Sequence, residues 1–363
     1  MSIRIAERLH LGSNHLLRGQ CGFQLPTSAP YHFTHPELLT SLLPLSPHWK
    51  LKYPFIKLLA PTDMSATPIP QGYLGNLTTE QEKALKDIWS CFYSLDEEGS
   101  DVNGGSGADA VSAGEIAERL KLIQEEGYEK IYAALWSAVQ GEHPDTLMLR
   151  FLRARKWDVK AGQLFLSFSF PLSLLRIMSF LAFAMLTRML KWRIDLDVDS
   201  ITARGEEHYN ENLPGFDLQM KSGKAYFHGT DKEARSVFYV HVQMHRSNQQ
   251  TFEALRTFVI YNMETGRLFL APPLNQCSFL FDLTGFGLGN MDWPLAQFLI
   301  KVFETYYPEI LGTLIIHNAP WVFSGIWKVL APLVDPVVRQ KVQFTQNDEL
   351  LRFIDVNQLP KSE

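Results

Sequence analysis

Cysteine is scarce in this chain of 363 residues: Cys21, Cys91 and Cys277 lie far apart, with no Cys-x-x-Cys pair. That spacing supports neither a disulfide framework nor a cysteine zinc site, and it makes a reducing compartment the default. An excess of positive charge is lacking as well. With 34 basic against 39 acidic residues, the chain has no footprint of a general nucleic-acid binder. No signal peptide opens it, so the Asn76-Leu77-Thr78 sequon carries little meaning. Arg4, Arg8 and Arg18 among apolar residues resemble a transit peptide weakly; Glu7 spoils the pattern, and an unstructured tail is the reading adopted. Nucleophile arrangements of the Ser/His/Asp or Cys/His kind are missing. Gly104-Gly105-Ser106-Gly107 follows no strand and is no phosphate loop. The expectation is a protein that is not an enzyme and has no cofactor.

What is present reads as two parts. Residues 1–72 are rich in Pro, Leu and His without clear period, and are expected to be an irregular extension. Thr79 followed by Glu82 forms a capping box, and Leu85, Ile88, Trp89 and Phe92 recur at helical spacing, so a helix starts near residue 79. Gly, Ser and Asp dominate 96–114, a flexible loop. Helical patterns resume over Ala113–Glu126 and Tyr128–Val139, and Asp145 caps a further helix containing Leu147, Phe151 and Leu152.

From about residue 224 the period changes. Phe238, Val240, Val242 and Met244 alternate with Tyr239, His241, Gln243 and His245, a strand with one buried face. Helices fit Thr251–Phe269, Trp293–Tyr306 and Phe323–Val334; short buried strands fit Ser278–Leu283 and Thr313–Ile316. Strands alternating with helices imply a mostly parallel sheet. His241 and His245, four apart on a strand, would lie about 13 Å from each other. With His228 they suit no compact metal site and are read as solvated strand histidines.

The run from Thr146 through Arg153-Ala154-Arg155-Lys156 to Val159 resembles the helical N-terminal module of CRAL-TRIO proteins. Further matches follow in order: His228–Glu233, Phe281–Gly285, Tyr306-Tyr307-Pro308-Glu309, Asn318–Trp321, and Leu333–Pro336 with Lys341. Upstream, Gly72–Glu82 is similar to the entry of the same module in fungal phosphatidylinositol transfer proteins. The resemblance implies an α/β CRAL-TRIO lipid-binding domain at 205–363. It is preceded by a helical module at 73–204 carrying the loop at 96–114 and an apolar insertion near 163–182.

That family implies a hydrophobic pocket between the sheet and a movable gate helix, here Phe323, Ile326, Trp327, Leu330 and Val334. Its inositol headgroup site maps to Arg155, Glu309 and Lys341, two cationic donors for a phosphodiester and a carboxylate to orient the lysine. One departure is Val338, where the family has a headgroup Thr. The choline-lipid site of dual-specificity members maps to Phe227, Phe238, Cys277 and Phe279, all without the family's polar group. A second departure is the insertion, after which Lys191-Trp192-Arg193 arrives later than the family's spacing. It is long enough to hint at a membrane span, yet it sits inside a module and is read as a dispensable spliced-in segment.

The function implied is phosphatidylinositol binding and transfer between membranes, by a cytoplasmic protein touching membrane surfaces transiently. The alternative is a lipid sensor that presents its ligand to phosphoinositide kinases or trafficking partners; a third reading is a sterol or haem binder. All need the same pocket, and none involves nucleic acid.

Overall fold

The computed structural model describes residues 68–93, 124–140, 142–155 and 171–360, without the side chains of 171–178. All of them belong to one unit, Phe55–Glu363. The extension up to residue 67, the loop at 96–114, most of the helix at 113–126 and residues 163–170 of the insertion lie outside the described residues.

Helix α1 is Thr79–Tyr93, and its buried residues Ala84, Ile88 and Phe92 recur every four positions, one face of a helix. Its capping box is one residue earlier than the sequence suggested. The Gln81 N–H donates to Thr78 Oγ1 (3.3 Å), and Thr78 N–H donates to Gln81 Oε1 (3.0 Å). Helix α2, Tyr128–Val139, has the predicted bounds. Helix α3, Pro144–Ala154, is capped by His143 and not by Asp145: with Pro144 at its first position, the helix begins earlier, and His143 Nδ1 accepts from Asp145 N–H at 3.2 Å. Asp145 instead accepts from the Trp89 indole N–H at 2.7 Å, tying α3 to α1.

Helix α4, Pro171–Asp195, is the longest of the described residues. It buries Ala182, Phe183, Leu186 and Leu190 against Ile88, Leu135 and Phe151 of the first three helices. The insertion boundary at residue 182 therefore falls inside a continuous helix. Ser179, within the insertion, is itself buried and donates to the Ala84 carbonyl (3.4 Å). Among the described residues no helix is long and apolar enough to cross a membrane.

Helices α5 (Val198–Asn212) and α6 (Phe216–Lys221) lead into the sheet. Its strands are β1 (Ala225–Thr230), β2 (Ser236–His241), β3 (Cys277–Asp282), β4 (Leu311–His317) and β5 (Val342–Thr345), in spatial order β1-β2-β3-β4-β5. The first pair is antiparallel and the rest are parallel. Crossovers run through α7 (Phe252–Arg267), α8 (Trp293–Lys301, continued by a π-helical turn Val302–Tyr306), and α9 (Phe323–Leu330) with α10 (Pro336–Gln340).

Two elements end sooner than their apolar patterns suggest. Strand β2 stops at His241 and turns through a 3-10 segment, Val242–Met244. The predicted strand histidines therefore share no strand face. His245 is not solvated: it is 6% exposed and bonds to Asp292. Helix α9 gives way to a 3-10 turn, Ala331–Leu333, because Pro332 has no N–H to continue the α-helical pattern.

A buried charge network joins α4 to α7. The Glu264 carboxylate, 2% exposed, accepts from Arg193 Nη1 (2.7 Å), Arg267 Nη1 (3.0 Å) and the Tyr307 hydroxyl (2.6 Å). Burial alone would raise its pKa, but the two arginines and the tyrosine outweigh that and hold it at about 2.

Candidate functional site

The register of the sheet builds the site's floor. Phe227 of β1 pairs with Phe238 of β2, Phe238 pairs with Phe279 of β3, and Phe279 pairs with Leu314 of β4. Paired positions project to the same side of a sheet, so three phenyl rings form a row across it. The rings touch: Phe227 and Phe238 centroids are 4.6 Å apart, and Phe238 and Phe279 centroids 5.7 Å apart. Above this row lies a cavity of about 250 Å³. Its other walls come from α7 (Phe258, Met263), α8 (Leu299, Phe303) and α9 (Phe323, Trp327, Leu330). A cleft lined in this way, with few polar groups, takes a hydrocarbon ligand.

Two residues assigned to the pocket stand elsewhere. Cys277 lies in the same sheet two positions before Phe279, but its thiol is buried against the Ser236 carbonyl (2.9 Å) and does not line the cavity. Burial pushes that thiol's pKa up, so it is an inert packing group. Ile326 is buried in one cluster with the wall residues Phe286, Ile316 and Leu330 but is itself absent from the cavity wall.

Of the expected headgroup residues, Glu309 and Lys341 come together. Lys341 Nζ is 3.5 Å from Glu309 Oε2 and donates to the Leu311 carbonyl at 2.9 Å. The pair is partly open, at 20% and 16% side-chain exposure. Glu309 sits at φ +59°, a left-handed conformation that costs a non-glycine residue roughly 1–3 kcal/mol. Strain of this kind persists where surrounding structure holds a side chain in place for a purpose. Val338 and Val342, near Lys341 in sequence, line the cavity, whereas Lys341 and Glu309 themselves stand outside its wall. Arg155 closes α3, its N–H donating to the Phe151 carbonyl at 3.2 Å.

The sequence matches known proteins at both ends of this arrangement. The CRAL/TRIO domain model matches residues 220–362, and the CRAL/TRIO N-terminal domain model matches 116–161. The phosphatidylinositol transfer protein CSR1 of Eremothecium gossypii is 31% identical over 357 residues, covering 82% of this chain and 77% of that protein. This chain belongs to the CRAL-TRIO family. A CRAL-TRIO domain-containing protein of Schizosaccharomyces pombe, C3H8.02, is 35% identical over 243 residues; the match takes in 66% of this chain but spans only half of that protein's length. The SEC14 cytosolic factor of Eremothecium gossypii is 29% identical, over 60% of this chain and 67% of its own.

The sequence alone does not single out Arg153 of this CRAL-TRIO chain. Arg153, two before Arg155, lies over the Tyr73 ring (3.9 Å to the centroid), and its Nη1 donates to the Gly72 carbonyl at 3.0 Å. Its Nε and Nη2 are buried and have no acceptor among the described residues. Burial lowers its pKa, while Tyr73 and the Glu309 carboxylate oppose that. Arg153 is thus a desolvated guanidinium, with donors to spare, within the field of Glu309. The Arg-Ala-Arg-Lys run offers two arginines, and only tertiary contacts separate their roles.

Proposed function

We propose that this CRAL-TRIO chain is a non-catalytic carrier that takes phosphatidylinositol from one membrane and releases it at another. The observation that carries the reading is an aromatic, hydrocarbon-sized cavity whose wall includes Val338 and Val342, sequence neighbours of the Lys341 that pairs with Glu309. The acyl chains lie in the cavity. Lys341 and the arginines of the α3 terminus meet the phosphodiester, and Glu309 orients Lys341 and accepts from inositol hydroxyls. The presence of a phosphatidylinositol transfer protein among the relatives supports the same ligand.

Choline lipids fit poorly. A phosphodiester among Phe227, Phe238 and Phe279 would be buried without hydrogen bonds, at a cost on the order of several kcal/mol. Cation–π attraction to the choline returns only about 1 kcal/mol. Release is the work of α9, whose inner face (Phe323, Ile326, Leu330) is buried while Trp321, Val329 and Leu333 along the same segment are 88%, 55% and 52% exposed. An exposed apolar edge of this kind suits transient contact with a bilayer. Native mass spectrometry of the protein purified from its own cells tests the ligand. A bound mass equal to phosphatidylinositol supports the reading, and a sterol, a haem or phosphatidylcholine in its place contradicts it.

A further inference from the structure

The cavity wall is mostly apolar; its polar side chains are His241, Asn262, Glu304 and one cluster of four. Lys224, which immediately precedes β1, lines it together with His245, Asn290 and Asp292. Each of the four is more than nine-tenths buried. Asp292 Oδ2 is 3.1 Å from His245 Nε2, and His245 Nδ1 is 3.4 Å from Lys224 Nζ. The geometry fixes the tautomer. Nε2 carries the proton and donates to Asp292, leaving Nδ1 to accept from the ammonium. The remaining contacts of Lys224 are the Gln219 side-chain oxygen and the Phe258 ring at 5.3 Å.

So this buried cation has only neutral groups in direct contact, and its nearest carboxylate is reached through an imidazole. Three N–H donors meet two acceptors among the described residues. The other charged residue on the cavity wall is different: Glu304 accepts the Asp335 N–H at 2.5 Å and is satisfied. A buried ammonium without a counter-ion, beside a space of hydrocarbon character, matches an anion that arrives attached to a hydrocarbon.

We propose that Lys224, backed by His245, is a subsite for the acid group of an amphiphile, a fatty-acid carboxylate or a phosphate monoester, whose chain lies in the aromatic cavity. It is separate from the Lys341–Glu309 pair and rests on the reading of the cavity as a lipid pocket. Burial supports it by lowering the Lys224 pKa to about 8 against the pull of Asp292, so the ammonium loses its charge as pH rises through 8 and an anionic partner would hold the proton in place. The charged and titratable groups around it are His245, Asp292 and, beyond His245, Arg246.

The test compares cis-parinaric acid with its methyl ester, a neutral probe of the same shape, by fluorescence titration of the full chain at pH 6.5. Expected is at least tenfold tighter binding of the acid, shrinking as pH rises above 8, abolished in Lys224→Met and restored in Lys224→Arg. Competition of the bound acid by oleate and by oleoyl lysophosphatidic acid distinguishes carboxylate from phosphate as the preferred group. Equal affinity for acid and ester in the unaltered protein overturns the subsite and leaves the lipid pocket standing. No binding of either probe removes the pocket reading and the subsite with it. An acid preference that survives Lys224→Met also overturns the assignment.

Discussion

Lys341 is held by the Leu311 carbonyl and the Glu309 carboxylate, so its ammonium is positioned before any lipid arrives. The expected outcome of Lys341→Ala is loss of phosphatidylinositol transfer by a protein that still folds by circular dichroism, at a stability cost of about 1–3 kcal/mol for leaving the Leu311 carbonyl and the Glu309 carboxylate without their partner. Val338 tests the same site in the opposite direction. It lines the cavity beside Lys341 and offers no hydroxyl. Val338→Thr should tighten inositol-lipid binding by about tenfold or less, since one neutral hydrogen bond contributes roughly 1 kcal/mol. Equilibrium binding of fluorescent phosphatidylinositol measures it, and weaker binding would place the headgroup elsewhere. At this scale the motifs singled out Glu309 and Lys341, which the fold brings together as a pair. The sequence was not legible at Arg153 or Lys224, whose meaning lies in burial and unpaired donors that no local pattern encodes. It also misled at Cys277, which shares the sheet face of Phe279 but turns its thiol to a backbone carbonyl.

Among the elements, α9 and the junction of α4 with α7 make separable predictions. Trp327, the residue that the helical stripe singles out, lines the cavity and packs against Phe344, so a charge there would damage the pocket as well as membrane contact. Trp321 and Val329 are the cleaner probes, being exposed. The double change Trp321→Asp and Val329→Asp should leave stability unchanged and weaken vesicle binding about tenfold or more, because charge is costly near the acyl region. Cosedimentation with vesicles checks it; unaltered binding would remove α9 from the membrane contact. The junction is tested by acid. Glu264 has its pKa lowered from 4.5 to about 2 by folding, so its contribution is fully present above pH 4.5 and is lost as pH falls toward 2. Urea unfolding at neutral pH should show Glu264→Gln to be less stable by about 2–4 kcal/mol, since two buried arginines lose their shared carboxylate and Arg193 keeps only the Asp199 carboxylate at 2.7 Å. Part of the acid sensitivity between pH 4.5 and 2 should vanish in the variant. Several helices and the central strands were legible from apolar period, and α2 matches its predicted bounds, but β1, β5, α4, α5 and α6 were not legible as elements. Ends were not legible either: Pro144 and Pro332 shift them, and the turn after His241 follows from tertiary bonding of His245 that period cannot show.

For the whole molecule, a mostly parallel sheet was legible because strands and helices alternate in sequence, whereas the antiparallel β1–β2 pair was not. The apolar run near 163–182 shows the limit. Its composition fits a membrane span or an insertion, whereas Ser179 and Ala182 pack into the helical module, and a core position reads the same as a lipid-facing one until its neighbours are known. Selective carriage joins the two features: an aromatic cavity that rejects a choline headgroup, and an ion pair that accepts an inositol one. Its most direct test is transfer of radiolabelled phosphatidylinositol and radiolabelled phosphatidylcholine between vesicles by the same preparation of protein. The account predicts robust transfer of the inositol lipid and transfer of the choline lipid no faster than without protein; efficient phosphatidylcholine transfer, or none of either lipid, would contradict it.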